Sequence, residues 1–207
     1  MPTDTLIFVV DDDPAVCASL RALLESARFK VRDYGSAETF LSEQPSPGAC
    51  LIADISMPGM DGLTLQEKVV ERGLELPIIM ITGHGDISLA VRAMKAGAVD
   101  FIEKPFSEEA IIRSISRAIA GGRTARDINH ETTAAQHILA HLTPRERMVL
   151  EQIVAGRSNK VAAYELGISP RTIEIHRAHI MNKMKAHSLA DLVRVALAAD
   201  RPLSGFS

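Results

Sequence analysis

The sequence predicts an α/β protein with a doubly wound, five-stranded parallel sheet, followed by a small all-α domain. Three observations point there. Over residues 1–122, short apolar runs alternate five times with amphipathic helical stretches, and parallel strands require such crossover helices. Beyond residue 142 the strand pattern vanishes and four short helices follow one another closely. Charge divides along the same line: residues 1–122 hold 11 Lys/Arg against 18 Asp/Glu, net −7, while residues 123–207 hold 12 against 8, net +4. An acidic front and a basic back suggest separate tasks, the second involving nucleic acid.

Taken in order, Leu6–Val10 is apolar throughout, as a strand buried on both faces should be. Asp13-Pro14 reads as an N-cap and an N1 proline. The helix they open runs to Ala27, with Val16, Leu20 and Leu23-Leu24 on one face. Val31–Tyr34 makes a weaker strand, and Ala49–Ala53, Ile78–Ile81 and Ala98-Val99 with Phe101-Ile102 complete five. A helix from about Ser107 closes this part, and Gly121-Gly122 weakens its end. Residues 123–141 are more polar and read as a linker, either helical or flexible. Thr143-Pro144-Arg145-Glu146 combines N-cap, N1 proline and capping-box acid. Asn159–Leu166 forms a second helix, Gly167-Ile168 turns the chain, Ser169-Pro170 caps a third, and Ser188 opens a fourth. The expected domains are therefore residues 1–122 and 142–207, joined by 123–141.

Composition excludes several classes. No apolar run approaches the roughly 20 residues that cross a bilayer, and Met1–Thr5 lacks the start of a secretory signal. Cys17 and Cys50 lie among apolar neighbours, which suits two reduced core thiols. A cytoplasmic protein is expected. Phosphate-binding loops of the G-x-x-x-x-G-K-[ST] kind are absent, and Gly83-His84-Gly85 lacks the third dinucleotide glycine because position 88 is Ser. His137 and His141 share helical spacing but have no Glu or Cys ligand nearby in sequence.

Polar residues stand where strands end: Asp11-Asp12 after the first, Asp54 after the third, Thr82 after the fourth and Lys104 after the fifth. Ligands of open parallel sheets bind at those carboxyl ends. Ionising three adjacent carboxylates calls for a cation, and an all-oxygen cluster suits Mg²⁺ (or Mn²⁺). Lys104 adds a point charge for a phosphate oxygen and Thr82 a hydroxyl. A carboxylate beside both can accept a phosphoryl group, and Asp54, on the central strand, is the nucleophile of choice.

In helix-turn-helix proteins the second helix enters the major groove. On the helix from Pro170, the residues Ile173, Ile180 and Met184 form an inward stripe. Opposite lie Arg171, Glu174, Ile175, Ala178, Asn182 and Lys185. These can read guanine, cytosine, a thymine methyl or adenine. Arg157, Lys160, Arg177 and Lys183 are candidates for phosphate contacts.

These motifs carry a resemblance. Asp11-Asp12, Asp54 in D-I-S-M-P-G-M-D-G, Thr82 in I-T-G-H-G-D and Lys104 in E-K-P-F resemble a response-regulator receiver domain of the CheY/flavodoxin-like fold. L-T-P-R-E-R-M-V-L and L-G-I-S-P-R-T-I-E-I-H-R resemble the LuxR/GerE-type helix-turn-helix domain, and the whole chain is similar to FixJ-type regulators. The resemblance implies that a sensor histidine kinase, FixL-like, phosphorylates Asp54. It implies that Asp11, Asp12, Asp54 and the Ser56 carbonyl surround the metal, and that the Lys104-Pro105 bond is cis. It implies a switch pair of Thr82 and Phe101, the latter lacking the hydroxyl of the more usual Tyr. It further implies a dimer surface carrying Val91 and Lys95, promoter DNA and RNA polymerase as partners, and activation of nitrogen-fixation genes. Two rivals fit less well. A haloacid-dehalogenase phosphatase shows D-x-D, but position 56 is Ser; a phosphate-independent binding module would not need so complete an acidic site.

Overall fold

The computed structural model describes residues 5–43, 50–83, 87–120 and 125–200. Met1 to Asp4, Ala49, His84, Gly85 and Gly121-Gly122 lie outside them. In chain order the elements are β1 (Leu6–Val10), α1 (Pro14–Ser26), β2 (Lys30–Tyr34), α2 (Ala37–Ser42), β3 (Cys50–Asp54), α3 (Gly62–Glu71) and β4 (Ile78–Thr82). There follow α4 (Ile87–Lys95), β5 (Asp100–Glu103), α5 (Glu108–Ile119), α6 (Ala125–Ala140), α7 (Pro144–Val154), α8 (Asn159–Leu166), α9 (Pro170–Met184) and α10 (Leu189–Ala199). Backbone contacts divide the chain into two compact units, Met1–His84 with Ala96–Gly121, and Gly85–Lys95 with Gly122–Ser207.

In the first unit all five strands are parallel, in the order β2-β1-β3-β4-β5. Alternation sends Ile7, Val9, Ile52, Ile79 and Ile81 to one face, where Leu20 and Leu24 of α1 and Ile111 and Ile115 of α5 bury them. On the other face Phe8 meets Phe40 of α2 edge-on at 5.5 Å. Each such fully buried side chain contributes about 1.5–3 kcal/mol. Asp13 caps α1 by accepting from the Ala15 N–H, as the Asp13-Pro14 pattern requires. Cys17 and Cys50 are free and buried, and burial pushes the Cys50 thiol up to about 12. At the far end of β5, buried Asp100 accepts from Ser114 Oγ at 2.6 Å and Arg117 Nη1 at 2.9 Å, fixing α5 to the sheet.

The second unit holds two helices besides the expected four. The stretch read as a linker, either helical or flexible, is largely the helix α6, which packs on α10 with Thr132 and Ala135 buried. Polar residues on its outward side hid that narrow inward face. Helix α4 also belongs to this unit, packed against α10 and α7. The turn between α8 and α9 depends on Gly167, whose φ of 64° is left-handed and costs an L-residue strain.

The Thr143–Glu146 capping box forms as its sequence implies, with the Thr143 N–H donating to Glu146 Oε2 at 2.8 Å. The same oxygen receives Lys183 Nζ at 2.7 Å. Lys183, then Thr143, hold the Glu146 carboxyl down to about 2 from an ordinary 4.5. A folded value below the unfolded one gives stability that is complete above the ordinary carboxylate range and is lost as pH falls toward 2. Glu146→Gln should therefore cost about 2 kcal/mol at pH 7, allowing for screening around the part-exposed Lys183. In urea unfolding the difference from the wild type should shrink as pH falls from 5 to 2.5.

Candidate functional site

Because β1, β3, β4 and β5 are parallel neighbours, their carboxyl ends share one rim, and the sequence puts a polar residue at each. Asp54 and Thr82 are the last residues of β3 and β4, while Asp11 and Lys104 immediately follow β1 and β5. Asp11, Asp54 and Thr82 are buried, each less than 5% exposed. Lys104 Nζ donates to Asp11 Oδ2 at 2.7 Å and to Asp54 Oδ1 at 2.6 Å. The other oxygens are also engaged: Asp54 Oδ2 accepts the Ser56 N–H at 2.6 Å, and Asp11 Oδ1 the Asp13 N–H at 2.9 Å. The Lys104-Pro105 bond is cis.

Burial sets the electrostatics. It pushes the Asp11 carboxyl above its ordinary value, against the hydrogen bond from Lys104. Burial also opposes the Lys104 charge, but Asp11 and Asp54 outweigh it and hold the ammonium above its ordinary value. Asp12 is exposed, and among the described residues no three acids, histidines or cysteines form a ready metal cluster. What is present is a pair of buried carboxylates on a rim of oxygen donors. That set fits Mg²⁺, which takes one or two carboxylates and retains water.

Phe101 is 6% exposed and pairs in register with Met80. Since Thr82 follows Met80 by two, Thr82 and Phe101 face the same side of the sheet. Val91 of α4 is 3% exposed, so it does not form part of an open surface here, whereas Lys95 is exposed.

On α9 the expected division holds: Ile173, Ile180 and Met184 are buried, and Arg171, Glu174, Ile175, Ala178, Asn182 and Lys185 are exposed. The cations divide differently. Lys160 is exposed on α8, but Arg157 pairs with Glu165, Arg177 donates to Asn159 Oδ1 at 2.9 Å, and Lys183 holds Glu146. Burial pushes the Arg177 guanidinium down, against the attraction of Glu174. Arg177 and Lys183 thus serve the packing of their own unit, a role that helical spacing does not reveal because both partners lie on other helices.

Sequence reasoning also passed over Gly62, although it closes the motif quoted for Asp54. A methyl group there would overlap the Asp54 carbonyl oxygen and lie 2.9 Å from Ile55 Cα. The start of α3 therefore rests directly on the end of β3. Gly62→Ala should cost about 1–3 kcal/mol in thermal unfolding and shift the amide resonances of residues 54–56. Gly35→Ala, with nothing within 4 Å of the added carbon, serves as the near-neutral control.

Comparison with known proteins covers both units. Residues 7–116 match the response regulator receiver domain, and residues 140–196 match the bacterial regulatory proteins of the luxR family. The chain is 46% identical to the transcriptional regulatory protein FixJ of Azorhizobium caulinodans, over 96% of this chain and 95% of that protein. It is 42% identical to the response regulator protein TodT of Pseudomonas putida, over 92% and 85%. Full-length FixJ from B. japonicum matches with 45% identity and a TM-score of 0.55, covering 94% of this chain and 97% of that one.

Proposed function

The chain belongs to the two-component response regulators that join a receiver domain to a LuxR-type DNA-binding domain, transcriptional regulators and not enzymes, and from that premise we propose that phosphorylation of Asp54 is its switch. The observation that carries this reading is the Lys104 ammonium, hydrogen-bonded at once to Asp11 and Asp54. It keeps a buried carboxylate beside a cation that a phosphoryl oxygen can take over. A sensor histidine kinase is the donor. An Asp54 oxygen bonds to phosphorus as the bond from phosphorus to the donor nitrogen breaks, giving an acyl phosphate. Asp11, Asp12, Asp54 and the Ser56 carbonyl would hold Mg²⁺ (or Mn²⁺), which supplies neutralising charge.

Thr82 then turns toward the phosphoryl group and Phe101 takes up the space released. Receivers pair through the surface of α4 that carries Val91 and Lys95. Since Val91 is buried, α4 must first shed its cover, which links pairing to release of the C-terminal helices. Paired chains set two α9 helices on paired half-sites and gain affinity through avidity. Arg171, Glu174, Ile175, Ala178 and Asn182 are the base readers, and Arg157, Lys160, Arg177 and Lys183 the phosphate contacts, Lys160 being the exposed one on α8. Residues 1–122 act as the switch and 142–207 as the reader, with 123–141 joining them. The likeness to FixJ favours nitrogen-fixation genes, a FixL-like kinase and activation through RNA polymerase, all in the cytoplasm. No helix among the described residues is long and apolar enough to cross a membrane.

Acetyl phosphate with Mg²⁺ should convert the protein to a dimer by light scattering and tighten promoter binding about tenfold or more. Asp54→Asn should do neither; phosphate uptake that leaves DNA affinity unchanged would move the output to another partner. On DNA, Arg171→Ala should relax base preference by about 1–3 kcal/mol. Lys160→Ala should weaken all sequences alike and lower the salt slope by about one. Anisotropy titrations at several salt concentrations read both.

A further inference from the structure

We propose that Glu38 is a positioning residue for the phosphoacceptor loop, acting through the backbone N–H of Met60. This rests on the reading of Asp54 as the phosphoacceptor.

The loop between β3 and α3 carries Ser56, whose N–H holds Asp54 Oδ2 and whose carbonyl is the expected metal ligand. Its two ends are fixed. The Gly62 N–H donates to the Ile55 carbonyl at 3.0 Å, and Asp61 caps α3 by accepting from the Thr64 N–H at 2.7 Å. Its middle is exposed at Pro58 and Gly59. There the Met60 N–H donates to Glu38 Oε1 at 2.9 Å, across 22 positions of chain. Gly59 lies against the same oxygen: its φ is 76°, and a methyl group on it would stand 2.9 Å from Glu38 Oε1. A side chain there would displace the end of Glu38, and the left-handed φ favours glycine.

Glu38 is well placed to hold. It stands in the first turn of α2, where a carboxylate meets free backbone N–H groups and the positive end of the helix. Hydrogen bonds from its own N–H and that of Met60 keep the carboxyl below its ordinary range, hence ionised. α2 itself is anchored by Phe40, wholly buried against Phe8 and Tyr34. Anchored in this way, α2 holds the middle of a loop whose Ser56 N–H bonds Asp54.

The test uses the full chain with Glu38→Ala and Glu38→Gln. Phosphate uptake from acetyl phosphate is followed over a series of Mg²⁺ concentrations, with loss after donor removal and thermal stability alongside. Glu38→Ala should need about tenfold more Mg²⁺ for half-maximal uptake, the usual effect of removing support behind a metal ligand. Glu38→Gln, which keeps an acceptor oxygen at the same reach, should stay within about twofold of wild type. An alanine variant with unchanged Mg²⁺ requirement and loss rate, even if less stable, would overturn the proposal. So would a glutamine variant as impaired as alanine. Failure of the underlying reading looks different: the wild type takes up no phosphate, or Asp54→Asn takes up as much.

Discussion

Two carboxylates, Asp11 and Asp54, are buried on one rim with a single ammonium joined to both, and the receiver half is organised around keeping that contact in place. Without Lys104 the two carboxylates would face each other in a poorly solvated site with their charges uncompensated. The three residues come from the ends of β1, β3 and β5, so the contact exists only if those strands stop at matching heights. Parallel register does this: Val10 sits beside Ala53, Asp54 beside Ile81, and Thr82 beside Glu103. The apolar strand interiors make the sheet stable, and their carboxyl ends hold the groups that a stable interior would not accept.

The C-terminal unit has a counterpart. Glu146 begins as a helix cap on α7 and ends as the acceptor for Lys183 near the end of α9. One carboxylate thus closes a helix terminus and sets α9 against its neighbour. Ile173, Ile180 and Met184 fill a narrow inner stripe, which leaves a broad outer face free of packing duties. That division lets side chains on the outer face suit a ligand without disturbing the core.

Both halves combine rigid interiors with ionised groups at the margins, where binding a phosphoryl group or a nucleic acid changes the balance of charge. Conformational switching requires a ligand that interacts differently with two states. A phosphoryl group on Asp54, as proposed, would compete directly for the ammonium that spans both acids. The burial of Val91 makes α4 costly to expose, which suits a helix whose surface is proposed to work only after the switch.

Much of this was legible in the residues. Short apolar runs marked most of the strands, caps such as Asp13, Thr143 and Ser169 marked helix starts, and the polar residues after the first, third, fourth and fifth strands marked the rim. These signals are local, set by backbone hydrogen bonding and side-chain period within a few residues. What tertiary structure alone decided is which groups meet across long separations. Lys104 reaches Asp11 across 93 positions, Lys183 reaches Glu146 across 37, and Glu38 reaches Met60 across 22. The same holds for α6, whose inward face is defined by α10, and for Val91, which is covered by residues far along the chain. Periodicity determines the faces of an element, but only packing determines what each face meets.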